Sequence, residues 1–240
     1  MKVILLFAAT IFSLALGNVT AAETTTHQPV RLVIIGDSTV CNYPAKEVRR
    51  GWGMFVQGYF DSNRLQVINL ALSGRSTKTF INEGHWEKAL QEKPDYVLIQ
   101  FGHNDSHSPD KPEATDSQTT YREYLRQYID ESRAIGARPV LITPMCRRKF
   151  DADGKINNEL LPYANAMKAV AKEKKVPLVD LNAESVELCN QLGPVRSKEL
   201  ANSSSDSTHF NAKGAQEMAR LVMQKLPAAE PSLKQYEAPR

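Results

Sequence analysis

Short apolar runs alternate with longer amphipathic ones from about residue 31 to residue 226. The runs at 31–35, 66–70, 95–101, 138–142 and 176–180 are rich in Val, Ile and Leu and are flanked by Gly, Pro, Asn or Asp. That pattern predicts five buried strands. Between them, helical spacing of apolar positions predicts helices over 52–60, 83–91, 117–135, 159–174, 183–192 and 212–226. Strands separated by helices need crossover connections, which give a parallel sheet with helices on both faces. No Pro- or Gly-rich linker and no internal repeat interrupts the pattern, so residues 23–227 are expected to form a single three-layer α/β domain. Beyond Pro227 the tail 228–240 is polar, carries two more prolines, and is expected to be disordered.

The N-terminus departs from this pattern. Lys2 precedes an apolar stretch over 3–16 and small residues at 19–22. The stretch is too short to span a bilayer, and the order of charge, apolar core and small residues reads as a cleaved export signal over 1–22. An uncleaved anchor is the alternative. The protein is therefore expected to be secreted or periplasmic, with no membrane-embedded part after residue 22. Loss of Lys2 takes the formal charge from +3 to +2, too small to argue for nucleic-acid binding. The longest basic cluster, Arg147-Arg148-Lys149, reads as a solvated loop. Cys41, Cys146 and Cys189 are an odd number, and one disulfide plus a thiol or three thiols both stay open.

In open α/β sheets, ligands sit beyond the carboxyl ends of the strands. The residues there are Gly36-Asp37-Ser38, Ala71-Leu72-Ser73-Gly74 and Gly102-His103-Asn104-Asp105. Ser38 is a candidate nucleophile, but a hydroxyl needs a base and a group that orients the base. Asp206 and His209, three residues apart on one late turn, supply that pair. Ser38 N–H, Gly74 N–H and the Asn104 amide are candidate donors to an oxyanion. The bland readings are a helix cap for Ser38 and His209, and turn formation for Gly74, Asn104 and Asp105. His103 and His107 lack the helical context of a zinc pair, so no metal site is expected. Trp52 is read as a packing residue with a sugar platform as the alternative, Trp86 as a packing or surface residue, and Arg75 as either a substrate contact or an ion-pair partner.

The blocks Gly36-Asp37-Ser38, Gly74, Gly102-His103-Asn104-Asp105 and Asp206-x-x-His209 resemble, in order and type, the four blocks of the SGNH (GDSL) hydrolases. The resemblance spans about 31–225. It implies a flavodoxin-like three-layer sandwich, Ser38, Asp206 and His209 as catalytic triad, and Ser38, Gly74 and Asn104 as oxyanion hole. It also implies no metal or organic cofactor. Gly36-Asp37-Ser38-Thr39-Val40, Gly51-Trp52-Gly53, Asn69-Leu70-Ala71-Leu72-Ser73-Gly74-Arg75-Ser76 and Asp206-Ser207-Thr208-His209-Phe210 resemble the rhamnogalacturonan acetylesterase branch. That implies an acetylated pectic polysaccharide as the substrate. From the small net charge and the lack of a later apolar span, neither a nucleic-acid nor a membrane partner is expected, and a monomer is expected. A broad-specificity esterase of the same fold, a deacetylase of another glycan, and a non-catalytic glycan-binding protein are the alternatives.

Overall fold

Five short strands meet side by side in the order β2-β1-β3-β4-β5, every pair parallel. They are β1 (Val30–Gly36), β2 (Leu65–Asn69), β3 (Tyr96–Gln100), β4 (Arg138–Ile142) and β5 (Leu178–Val179). The computed structural model describes residues 28–239, so the segment 1–22 read as an export signal lies outside the described residues. The helices are α1 (Thr77–Asn82), α2 (His85–Gln91), α3 (Thr120–Ala134), α4 (Leu161–Lys174), α5 (Leu181–Arg196) and α6 (Ala212–Ala229). This is the five-stranded parallel α/β sandwich expected from the apolar pattern.

Because side chains alternate across a strand, β1 divides its apolar residues between two cores. Leu32 and Ile34 join Leu98, Val140 and Ile142 under α6 and the segment 52–60. Val33 and Ile35 join Val97, Ile99 and Leu141 under α2, α3 and α4. A fully buried aliphatic side chain contributes roughly 1.5–3 kcal/mol relative to an exposed one, so a one-residue register slip would be prohibitive. Strand register sets Ile35 opposite Ile99 and Gly36 opposite Gln100. The chain therefore leaves β1 and β3 at the same level, at the point where strand order reverses, which is where such sheets bind ligands.

Three elements differ from their sequence expectation. The segment 52–60 forms a 3₁₀ helix, Trp52–Tyr59; Gly53 and Gly58 within it lower its α-helical propensity. The helix expected over 83–91 forms as α2 (His85–Gln91), but a further short helix not expected from sequence, α1, precedes it, and Gly84, at φ 73°, separates the two. The left-handed conformation there suits glycine and costs most other residues about 1–2 kcal/mol.

The third difference is the tail. Instead of being disordered, α6 runs to Ala229 and a 3₁₀ turn follows over Pro231–Tyr236. Long-range partners order it. Arg138 holds Glu230 at 2.8 Å, Tyr96 Oη lies 2.7 Å from Ser232 Oγ, and Leu233 is buried. Ala238 N–H donates to Tyr59 O at 2.9 Å.

Candidate active site

Ser38 sits on the turn that ends β1. No helix begins there, which removes the capping role as an account of its hydroxyl. Asp37 shapes the turn: its carbonyl accepts from Val40 and Cys41 N–H, and its Oδ1 accepts from Thr39 N–H at 2.9 Å and Thr39 Oγ1 at 2.7 Å. Tyr43 Oη donates to Ser38 O at 2.9 Å. The turn is thus held from both sides before any substrate arrives.

Beneath the turn lies a buried polar chain. Trp52 Nε1 donates to Gln100 Oε1 at 2.7 Å, and Gln100 Nε2 donates to Thr39 Oγ1 at 3.1 Å. On the other carboxylate oxygen of Asp37, His103 Nδ1 stands at 3.2 Å. Burial acts to raise the Asp37 carboxyl, but His103 and the Thr39 bonds outweigh it and hold it below the usual carboxylate value. Trp52 is therefore a core residue with a hydrogen-bonding task, consistent with the packing role read from sequence.

The late loop brings the second part. His209 Nε2 lies 2.9 Å from Ser38 Oγ, and His209 Nδ1 lies 2.8 Å from Asp206 Oδ2. With the ring proton on Nδ1 and donated to Asp206, Nε2 is left free to accept from the Ser38 hydroxyl. Asp206 Oδ1 accepts from Thr208 N–H at 2.7 Å and His209 N–H at 2.8 Å, so the carboxylate is fixed before it orients the ring. Burial raises the Asp206 carboxyl, yet the bonds from His209 and Thr208 outweigh it and keep it below its ordinary value. The cap of α6 is Asn211, whose side chain accepts from Gly214 N–H at 3.0 Å, so His209 is not needed as a cap.

The candidate oxyanion donors converge on the same corner. Leu72 N–H donates to Gly36 O at 2.9 Å, tying the Gly74 turn to the end of β1. Asn104 Nδ2 donates to Arg75 O at 2.9 Å, tying the loop after β3 to that turn and leaving its second amide hydrogen available. Gly74 has φ 79° at the third position of the turn Leu72–Arg75, the position that favours glycine. A Cβ there would meet no atom within 4 Å, so the backbone angle alone selects glycine. Among the described residues, neither Ser38 N–H nor Gly74 N–H meets a backbone acceptor.

Several residues around the site were read differently, or not at all, from the sequence. Of Arg147-Arg148-Lys149, read as a solvated loop, only Lys149 is exposed, and Arg148 is 8 % exposed. Its Nη2 donates to Asp206 O at 3.1 Å and His209 O at 2.6 Å, and its guanidinium lies 4.4 Å from the Phe210 ring centre. Arg148 Nε and Nη1 are buried with no partner, and burial lowers its basicity. Lone arginines carry no local sequence signal for such a task.

The other candidates fall into place by contact. Asp105 accepts from Thr77 and Thr115, as a structural residue would; burial outweighs those bonds and pushes its carboxyl up to about 7. Arg75 pairs with Glu83 at 2.8 Å. His103 and His107 are engaged separately, the one by Asp37 and the other by Glu113 at 2.6 Å. Among the described residues no group of three or more His, Cys, Asp or Glu is arranged to hold a metal ion. Cys41, Cys146 and Cys189 are free and buried.

A serine, imidazole and carboxylate in one hydrogen-bonded row, at the switch point of a parallel sheet beside unengaged N–H donors, define a serine hydrolase architecture. Residues 34–217 match the GDSL-like Lipase/Acylhydrolase family, and the chain belongs to it; it is a carboxylic ester hydrolase. It is 39% identical over 210 residues to rhamnogalacturonan acetylesterase RhgT of Bacillus subtilis, covering 81% of this chain and 88% of that one. The crystal structure of YxiM from Bacillus subtilis superposes with TM-score 0.74 at 32% identity, over 84% of this chain and 57% of that longer one. Axe2, an acetylxylan esterase from Geobacillus stearothermophilus, shares the fold at TM-score 0.64 and 21% identity, over 84% of this chain and 95% of that one.

Proposed function

We propose that this chain removes O-acetyl groups from polysaccharide, with acetylated rhamnogalacturonan as its substrate, through an acetyl-Ser38 intermediate. The observation that carries the chemistry is the row Ser38–His209–Asp206, with contacts of 2.9 and 2.8 Å. His209 takes the Ser38 proton as Oγ attacks the acetyl carbonyl. Ser38 N–H, Gly74 N–H and Asn104 Nδ2 then hold the oxygen that becomes negative, each such donor being worth about 10²–10³ in rate. The imidazolium, stabilised by Asp206, returns its proton to the departing sugar hydroxyl. Water, deprotonated in turn by His209, releases acetate from Ser38.

The choice of polymer rests on the 39% identity to RhgT across most of both chains. Export from the cytoplasm, to the periplasm or the medium, rests on the charge and apolar order of residues 1–22. The test is acetate release from acetylated rhamnogalacturonan and from acetylated xylan, beside Ser38→Ala. Release from the pectic polymer, lost in the variant, supports the reading. Ser38-dependent cleavage of p-nitrophenyl acetate with release from neither polymer would overturn the substrate and spare the chemistry. N-terminal sequencing of the mature protein from medium and periplasm checks the export reading.

A further inference from the structure

Beside the triad runs a cleft of about 620 Å3 whose walls come from the segments after β3 and β4 and from the late loop before α6. Ser207 and Thr208 give the wall next to His209, Ser106 gives the wall next to the Asn104 loop, and Arg147, Lys149 and Lys111 contribute three cations. One anion, Glu159, lines the same cleft, which leaves two net positive charges. Lys149 Nζ sits 2.9 Å from both Glu159 oxygens, whereas Arg147 Nη1 reaches Glu159 only at 3.5 Å. Lys111 has no carboxylate partner among the described residues, where the ion pairs involve other cations.

Arg147 is the most constrained of the three. Its Nη2 donates to His103 O at 3.0 Å, so its guanidinium is fixed to the loop that presents Asn104. Its side chain is 14% exposed, shielded yet still part of the cleft wall. Nη2 also reaches Ser106 Oγ at 3.4 Å and Nη1 only grazes Glu159 at 3.5 Å, so Nε and one Nη1 hydrogen stay free and the positioned guanidinium is organised to grip a planar carboxylate. The neighbouring hydroxyls of Ser106, Ser207 and Thr208 suit sugar hydroxyl groups. An uncharged polymer would gain nothing from two excess cations at this position, whereas a polymer bearing a carboxylate on sugars near the acetyl ester would.

We infer that this cleft is a subsite for the carboxylate of a uronate residue neighbouring the acetylated sugar, with Arg147 as its principal contact and Lys149 and Lys111 at its rim. The inference rests on the acetylesterase reading above and adds to it how an acidic polymer is told from a neutral one. Glu159 keeps Lys149 in place and is displaced as its partner when substrate carboxylate enters. The subsite acts on binding, so its effect belongs to KM and not to kcat.

The test compares one acetylated rhamnogalacturonan before and after methyl esterification of its uronates, with acetate release as readout. Wild type should show a KM about tenfold lower on the free-acid form, and the advantage should shrink as salt rises. Lys111→Ala/Lys149→Ala, both at exposed positions, should erode most of that preference, and Arg147→Lys should erode it further through KM. Thermal unfolding of each variant separates a binding loss from a folding loss. Equal KM on the two forms in wild type, or a preference that survives in all the variants, would overturn the subsite and leave the esterase standing. Acetate release from neither form would sink the acetylesterase reading itself, and the subsite with it.

Discussion

Replacing Arg148 by Met takes a positive charge from beneath the Asp206–His209 segment while keeping a side chain of similar length against Phe210. Arg148 Nη2 bonds the carbonyls of both Asp206 and His209, at 3.1 and 2.6 Å. A hydrogen bond from a charged donor contributes about 1.5–3 kcal/mol, and a desolvated cation over an aromatic face about 2 kcal/mol. Against these stands the cost of burying a guanidinium whose Nε and Nη1 find no partner, several kcal/mol in its own right. The opposed contributions are of similar size, so Arg148→Met should change global stability by no more than about 2 kcal/mol in either direction. Catalysis should respond far more. The two carbonyls flank the residues that must meet Ser38, and displacement of a reacting group by about 1 Å costs on the order of 10²-fold in rate. The assay is kcat and KM on p-nitrophenyl acetate beside urea unfolding: kcat should fall by about 10²-fold with KM little changed. A variant that unfolds easily yet turns over normally per folded molecule would make Arg148 a structural cation and refute its role in positioning His209.

Three further outcomes follow from the geometry. Asn104→Ala should lower kcat by about 10²–10³-fold while KM holds, because its donor acts on the transition state; a rise in KM alone would make it a substrate binder. Gly74→Ala should cost about 1–2 kcal/mol through its positive φ without any steric clash, measured by thermal unfolding, and an unchanged Tm would show that the turn relaxes freely. Asp105, with its carboxyl pushed up to about 7, keeps in the folded state a proton that the unfolded chain releases near its ordinary 3.8. Stability should therefore fall as pH rises between about 4 and 7, by at most about 1.4 kcal/mol per pH unit. Asp105→Asn should flatten that slope in urea titrations, and an undiminished slope would assign it to another group.

Much of this was readable along the chain because it depends on near neighbours. The strand cores at 31–35 and 138–142 are runs of apolar residues, and the structure places strands over both. Asp206 and His209 are three apart on one turn, so their pairing needs only local geometry. Ser38, Gly74 and Asn104 each follow a strand, and the parallel sheet does the rest. What escaped depends on distant partners or on chemistry with a weak signature. The short helix α1 is capped by Ser76 and Thr79 bonding one another's backbone, a box with Thr where Glu is the usual signal. The tail is ordered by Arg138, Tyr96 and Tyr59, which its own polar, Pro-containing composition does not announce. Arg148 looked like part of a solvated cluster because nothing in Arg147-Arg148-Lys149 tells the middle cation that it faces two carbonyls some sixty residues away.

The most direct test of the covalent mechanism is to mix the enzyme with p-nitrophenyl acetate, quench with acid on the millisecond scale, digest, and locate the acetyl group by mass spectrometry. The account predicts acetyl on the Ser38 peptide in wild type, and none on that peptide in Ser38→Ala. Acetyl carried by another residue, or full turnover by Ser38→Ala, would contradict it.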